Sequence, residues 1–272
     1  VHITLQSIDG RNNTIIDGNQ AGSVITVSGI NPIINGFSIR NGLAVDGGGL
    51  NIYGGTVVIN NSWINNNISN DNSAAIGIDD ASLNINNTII SHNIGTSTAN
   101  AVMKSQNSNV EISNSLITNN QSESRMIWTV AWDGLSGLHL NNVTITNNIS
   151  TDVEIGVIDF DDQSSTIINS IIWGNNQAIR LLGAILTIGY SNIEGGENGI
   201  EGDHSNLSWG NNNLNSNPLF CNVDSSDFTL YDNSPCIGTG QDDVNMGAYG
   251  VGCEAQTSNT DRVIVVTENT LT

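Results

Sequence analysis

The feature that most constrains this chain is a pair of asparagines, separated by five residues, that returns at a near-constant interval. It runs Asn13/Asn19, Asn35/Asn41, Asn61/Asn67, Asn87/Asn93, Asn114/Asn120, Asn142/Asn148 and Asn169/Asn175, with starts 22, 26, 26, 27, 28 and 27 residues apart. A degenerate eighth copy begins at Tyr190 and ends at Gly196. A fixed period of this length signals a solenoid, propeller or array, in which one unit cannot bury its apolar face alone.

The pattern inside each unit selects strands. Two and four residues ahead of the first Asn lie apolar residues, as in Val57 and Ile59, Leu83 and Ile85, or Val110 and Ile112. Three residues after it comes isoleucine: Ile64, Ile90, Ile117, Ile145, Ile172. Period two with β-branched residues reads as strand. An earlier strand in each unit points Leu50 and Ile52, Ile76 and Ile78, or Ile158 and Phe160 inward, so a unit holds two or three short strands. Stacked about 4.8 Å apart, such units share one core. Asparagine suits the corners because it tolerates left-handed backbone and its amide both donates and accepts. A hydrogen-bonded ladder is therefore expected along Asn35, Asn61, Asn87, Asn114, Asn142 and Asn169. The regular isoleucines argue against a low-complexity, disordered tract.

Three motifs carry a family resemblance: Thr14-Ile15-Ile16-Asp17-Gly18-Asn19, the run from Ile34-Asn35-Gly36-Phe37 to Asn41-Gly42, and Gly47-Gly48-Gly49-Leu50-Asn51-Ile52. They resemble the right-handed parallel β-helix repeats of bacterial proteins, the pectate-lyase-like superfold. Asn217-Pro218-Leu219-Phe220, Ser234-Pro235-Cys236 and Asn245-Met246-Gly247-Ala248-Tyr249 resemble the segment that closes such solenoids in secreted bacterial proteins. The resemblance implies an all-β, right-handed parallel β-helix of about eight to ten coils, with its hand resting on the resemblance alone. It also implies a front cap ahead of Val1, since an uncapped stack exposes unpaired strand edges. The expected organisation is coils over 1–196 lacking that cap and a closing segment over 197–253. Residues 254–272 are read as a linker, a tail strand around 263–266, or the start of a further domain.

Composition narrows the partners. Six Lys plus Arg against 26 Asp plus Glu give a net charge of −20, which argues against nucleic acid and anionic membranes. No apolar run reaches the length of a membrane span. Cys221, Cys236 and Cys253 all fall in the closing segment. In an exported protein one disulfide is expected there through Cys253, with Cys236 taken as partner, although three cysteines leave the pairing open. With no histidine cluster nearby they make no zinc site.

Aligning units on the first Asn gathers the chemically useful residues on one outward face. Eight residues before it come Tyr53, Asp79, Gln106 and Asp161, and ten before it Asn51, Lys104 and Asp159. Trp128, Trp132 and Asp133 fall in the same neighbourhood of the 28-residue unit. Here Lys104, Asp159 and Asp161 are the catalytic candidates, Trp128, Trp132 and Tyr53 the sugar-binding ones, and Asp79, Asp133, Asp159 and Asp161 the carboxylates that could hold Ca²⁺. The plainer account is a solvated acidic face with packing tryptophans. The enzyme signatures of the superfold are incomplete: Asp79-Asp80, Asp161-Asp162 and Asp242-Asp243 supply an adjacent pair, but no Gly-His-Gly, Arg-x-Lys or Arg-rich run occurs.

The sequence thus favours a non-catalytic extracellular domain of a bacterial surface protein, acting as stalk, adhesin or assembly unit. A polysaccharide lyase, a glycoside hydrolase or a carbohydrate-binding module on the Asp/Lys/Trp face is the alternative, and a subunit of a head-to-tail filament is a third. Expected partners are polysaccharides or cell-surface glycans and the ends of its own solenoid. No cofactor is expected, Ca²⁺ apart.

Overall fold

A computed structural model describes residues 2–97, 101–131, 136–152, 156–176 and 179–255. The run at 263–266 lies outside the described residues. The chain is a parallel β-solenoid of about nine turns, with no α-helix among the described residues. The strands before the Asn corner form a nine-stranded sheet from His2–Gln6 to Leu207–Trp209. Past the corner an eight-stranded sheet runs from Ile15–Asp17 to Asn192–Ile193. A five-stranded ladder of two-residue strands follows, from Leu43–Ala44 to Ile149–Ser150. A second eight-stranded sheet, from Ile25–Ser28 to Ile200–Gly202, completes each turn and carries the candidate face. A central coil therefore has four strands rather than two or three: Thr56–Asn60, Trp63–Asn65, Ile68–Ser69 and Ser73–Asp79.

The period-two pattern does what was expected of it. Val57, Ile59, Leu83, Ile85, Val110 and Ile112 stack in register and are at most 1% exposed. Ile64, Ile90, Ile117 and Ile145 form another inward row, and Leu50, Ile52, Ile76, Ile78, Ile158 and Phe160 a third. Each such side chain contributes about 1.5–3 kcal/mol by leaving water. At the front of the stack the same rows begin with Ile3 and Leu5, which are 42% and 41% exposed. The stack also runs past residue 196, because Ile200–Gly202 and Leu207–Trp209 still pair with the preceding turn.

From Asn61/Asn67 onward the two asparagines of each pair divide the labour. The first holds the left-handed corner: Asn61, Asn87, Asn114, Asn142 and Asn169 have φ between 48° and 55°, and Tyr190 takes the same corner at 50°. Its amides bond along the exposed edge, with Asn61 Nδ2 donating to Asn35 Oδ1 at 2.9 Å and Asn87 Nδ2 to Asn61 Oδ1 at 2.7 Å. Asn35 itself pairs with Asn60, one residue out of the phase that the motif suggests, and Gly36 takes its corner. The edge ladder does not continue unbroken. Asn114 Nδ2 donates to Asn86 Oδ1 and Asn169 Nδ2 to Asn141 Oδ1, while Asn142 Nδ2 turns to the Asn245 carbonyl.

The continuous, buried ladder belongs to the second asparagine. Asn67, Asn93, Asn120 and Asn148 each donate from Nδ2 to Oδ1 of the next, ending on Asn175, at 3.0 Å every time. The same Oδ1 accepts the backbone N–H of the preceding ladder residue at 3.0–3.1 Å. Each Nδ2 also reaches a backbone carbonyl, that of Ile39, Ile64, Ile90, Ile117 or Ile145. A parallel hydroxyl ladder sits just after the first asparagine. Ser62 N donates to Thr88 Oγ1, Thr88 N to Ser115 Oγ, and Ser170 N to Ser191 Oγ.

The closing segment lies along the side of the solenoid. Its three-stranded sheet, Phe220–Asn222, Asp227–Tyr231 and Val251–Cys253, accompanies a small core of Leu230, Cys236, Met246 and Ile171. It covers the outward side of the sheet past the corner, where Leu116, Thr118, Thr144 and Ile171 are buried. Backbone bonds fix it there: Ala248 N to Thr144 Oγ1, Gly247 N to Asn169 O and Gln241 N to Asn169 Oδ1. This contact is what takes Asn142 and Asn169 out of a simple edge ladder.

The disulfide joins Cys221 to Cys253, with Cα atoms 6.0 Å apart, and not Cys236 to Cys253 as the sequence suggested. Cys221 and Cys253 lie on the two strands that flank Asp227–Tyr231. Cys236 is instead fully buried in the small core, where its thiol accepts from Asn192 Nδ2 at 3.1 Å.

Two measurements test these packing roles. Asn120→Ala should lose about 3 kcal/mol in urea denaturation, because it strands the buried Asn93 backbone N–H and takes one acceptor from Asn93 Nδ2. Asn87→Gly, at an exposed left-handed corner, should lose less than about 1 kcal/mol. Burial pushes the Cys236 thiol up to about 11, so a thiol reagent at neutral pH should label no cysteine in the folded protein and one after unfolding without reductant.

Candidate functional site

The candidate face is built by parallel register. Asn51, Gly77, Lys104, Trp128, Asp159, Arg180 and Glu201 occupy one outward row, strand by strand. Tyr53, Asp79, Gln106, Val130 and Asp161 occupy the next row toward the Asn corner. The alignment on the first asparagine therefore places Asn51, Tyr53, Asp79, Lys104, Gln106, Asp159 and Asp161 where the strands put them. In the 28-residue unit the row is filled by Trp128, while Trp132 and Asp133 lie outside the described residues.

Asp159 is the centre of the face, and it is fully buried. Arg125 Nε donates to its Oδ2 at 2.9 Å, and Arg180 reaches Oδ2 at 2.5 Å and Oδ1 at 3.3 Å. The Gly156 backbone N–H adds a fourth bond to Oδ1 at 2.8 Å. A buried carboxylate is costly unless charge and hydrogen bonds compensate it, and here two guanidinium groups and an amide do so. With both oxygens engaged and no exposed surface, Asp159 has no site from which to accept a substrate proton.

The neighbours of Asp159 are also engaged. The Trp128 ring lies 4.4 Å from Arg125 Cζ and 4.9 Å from Lys104 Nζ, both cation–π distances. Lys104 Nζ also donates to Asn72 Oδ1 at 3.2 Å. Trp128 is thus stacked with cations of its own chain, and its buried indole N–H faces the Asp161 side without closing a hydrogen bond. Tyr53 is 43% exposed, but its hydroxyl accepts from Asn51 Nδ2. Three strand steps separate its coil from that of Trp128, about 14 Å at the usual spacing, so the two do not form one platform.

Gly77 opens a notch in the outward row that Asp46 fills. A Cβ there would sit 2.3 Å from Asp46 Oδ1, which accepts from Ser73 Oγ at 2.5 Å. Asp79 and Asp161 stand beside this row, and both carboxyls are held above the ordinary aspartate value, first by burial and then by the adjacent Asp80 or Asp162. They too lie three strand steps apart, about 14 Å, beyond the roughly 5–9.5 Å that either glycosidase geometry uses. Among the described residues, no three of His, Cys, Asp or Glu converge to hold a metal ion. Asp79, Asp159 and Asp161 are accordingly not gathered into one set of ligands.

The sequence missed Arg125 and Arg180, which look isolated along the chain. Arg180 had a signal, since it stands ten residues before Tyr190, the phase that Asp159 occupies before Asn169. Arg125 had none, because the 28-residue unit breaks the phase. No protein-family model matches the chain, and no curated protein is significantly similar to it.

The raised carboxyls give a pH dependence with a defined sign. A native Asp that holds its proton more tightly than the unfolded chain does lowers stability as pH rises through its folded value. Asp79→Asn and Asp161→Asn should therefore raise the melting temperature at pH 7. The gain should vanish below the ordinary aspartate value of 3.8, and melting curves across pH check it.

Proposed function

We propose that this chain is a non-catalytic, surface-displayed extracellular domain of a bacterial protein, related to the right-handed parallel β-helix superfold. Its role is that of a stalk or adhesin scaffold, which holds other surfaces at a fixed spacing. One observation carries the reading: Asp159, the carboxylate around which a catalytic centre would be built, is fully buried between Arg125 and Arg180. Lys104 is turned to Trp128 and Asn72, and Asp79 and Asp161 stand too far apart to work as an acid–base pair. The polar face then reads as a strap across four successive strands. A regular solenoid with one packed core is well suited to act as a spacer.

The test is incubation with neutral and acidic polysaccharides in the presence of calcium, followed by size-exclusion chromatography of the polymers. The expected result is no change in polymer length. Shortening of any polymer that survives Asp159→Asn and Asp161→Asn would place an active centre elsewhere, and shortening that those substitutions abolish would make this face catalytic. Either result overturns the scaffold reading.

A further inference from the structure

Where the closing segment meets the side of the solenoid, the two surfaces leave a cleft of about 300 Å³. Its apolar part is Trp173 from the solenoid and Leu219, Phe220 and Val223 from the closing segment. Its polar part is Thr146, Asn147 and Asn217, and no charged side chain lines it. At its margin the Glu194 carboxylate accepts the backbone N–H of Gly174 at 2.8 Å, so the nearest charge is negative, as on a molecule of net charge −20. We propose that this cleft binds a neutral pyranose ring, stacked on Trp173 and hydrogen-bonded by the amides at its edge.

Three observations converge on that ligand. The first is a fixed aromatic floor. Trp173 packs against the core of the closing segment, and Phe220 is locked edge-on to Phe228 with ring centres 5.4 Å apart. The second is spare hydrogen-bonding capacity at the rim. Asn147 donates from Nδ2 to Asn119 Oδ1, which leaves its own Oδ1 without a partner among the described residues. Asn217 accepts the Leu219 N–H on Oδ1, which leaves its Nδ2 in the same state. The third is backbone strain in the wall. Leu219 has φ 54° and is the only aliphatic residue with positive φ among the described residues. Such strain gathers at binding sites, where the surroundings hold it.

The chemistry of the lining discriminates among ligands. A wholly apolar molecule would leave the rim amides without partners. An anion would meet no counter-charge in the cleft and a strongly negative protein around it. A pyranose offers apolar C–H faces for the tryptophan and hydroxyls for the amides, the mixture that small-molecule pockets of this kind accept. This site is distinct from the Asp159 face. Polymer shortening would defeat the scaffold reading without deciding whether the cleft binds sugar.

Saturation-transfer NMR on the full chain tests it, with methyl glucoside, methyl galactoside, methyl mannoside and N-acetylglucosamine as probes. Galacturonate and cyclohexanol serve as charged and apolar controls. At least one neutral pyranoside should receive transfer while the controls bind more weakly. Val223→Trp, which fills the cleft from an exposed position, should weaken that binding by about tenfold or more with an unchanged melting temperature. If Val223→Trp fails to fold, Val223→Lys provides the same readout from the rim. The proposal is overturned if no neutral pyranoside binds, if binding survives the folded Val223 variant, or if a control binds as tightly as the best pyranoside.

Discussion

The fold depends on how a parallel stack satisfies the backbone at its turns. Strand pairing takes care of N–H and C=O groups along each sheet, but every coil must also bend several times, and groups at a buried bend have no neighbour in the ladder. The second asparagine of the pairs from Asn61/Asn67 to Asn169/Asn175 solves this for one bend. Its amide oxygen takes a backbone N–H and a side-chain N–H from the coil before, and its nitrogen serves the coil after together with a backbone carbonyl. Serine and threonine hydroxyls do the same at the neighbouring bend. Buried polar groups that are fully satisfied specify register, because a slip of one residue would leave a row of them unpaired.

The same logic explains why the side chains of the candidate face engage one another. Its row positions are set by the coil period, so whatever stands there must live beside its own counterpart one strand away. Lys104, Trp128, Asp159 and Arg180 are consecutive members of such a row; Lys104 lies over the Trp128 ring and Arg180 pairs with Asp159. A substrate would have to compete with these neighbours for the same groups. The cleft beside the closing segment differs because two dissimilar surfaces meet there, and no repeating neighbour fills the gap.

Much of this was legible in the sequence, and the part that was not has a physical reason. The isoleucine and asparagine phases identify the strands, the shared core and the stacking direction, since those follow from short-range periodicity. Which of two asparagines is buried is decided by how the backbone bends at each, which the spacing does not encode. The Cys221–Cys253 bridge and the Arg125–Asp159 pair depend on where non-repeating segments return to the stack. The tryptophan cleft was equally invisible, because Trp173 and Phe220 are brought together only when the closing segment folds alongside the solenoid.

The scarcity of basic residues has a consequence for survival among proteases. Trypsin-like enzymes cut after Lys or Arg, and the whole chain offers six such bonds, with Lys104 as the one lysine. Arg40, Lys104, Arg125 and Arg180 all lie within strands paired to their neighbours, and Arg11 is tied to the carbonyls of Ser62 and Asn87. Cleavage at a strand bond requires that segment to leave the stack and extend into the protease, which breaks pairing on both sides. The composition that makes the solenoid acidic thus also leaves few places to cut it, most of them held inside its sheets.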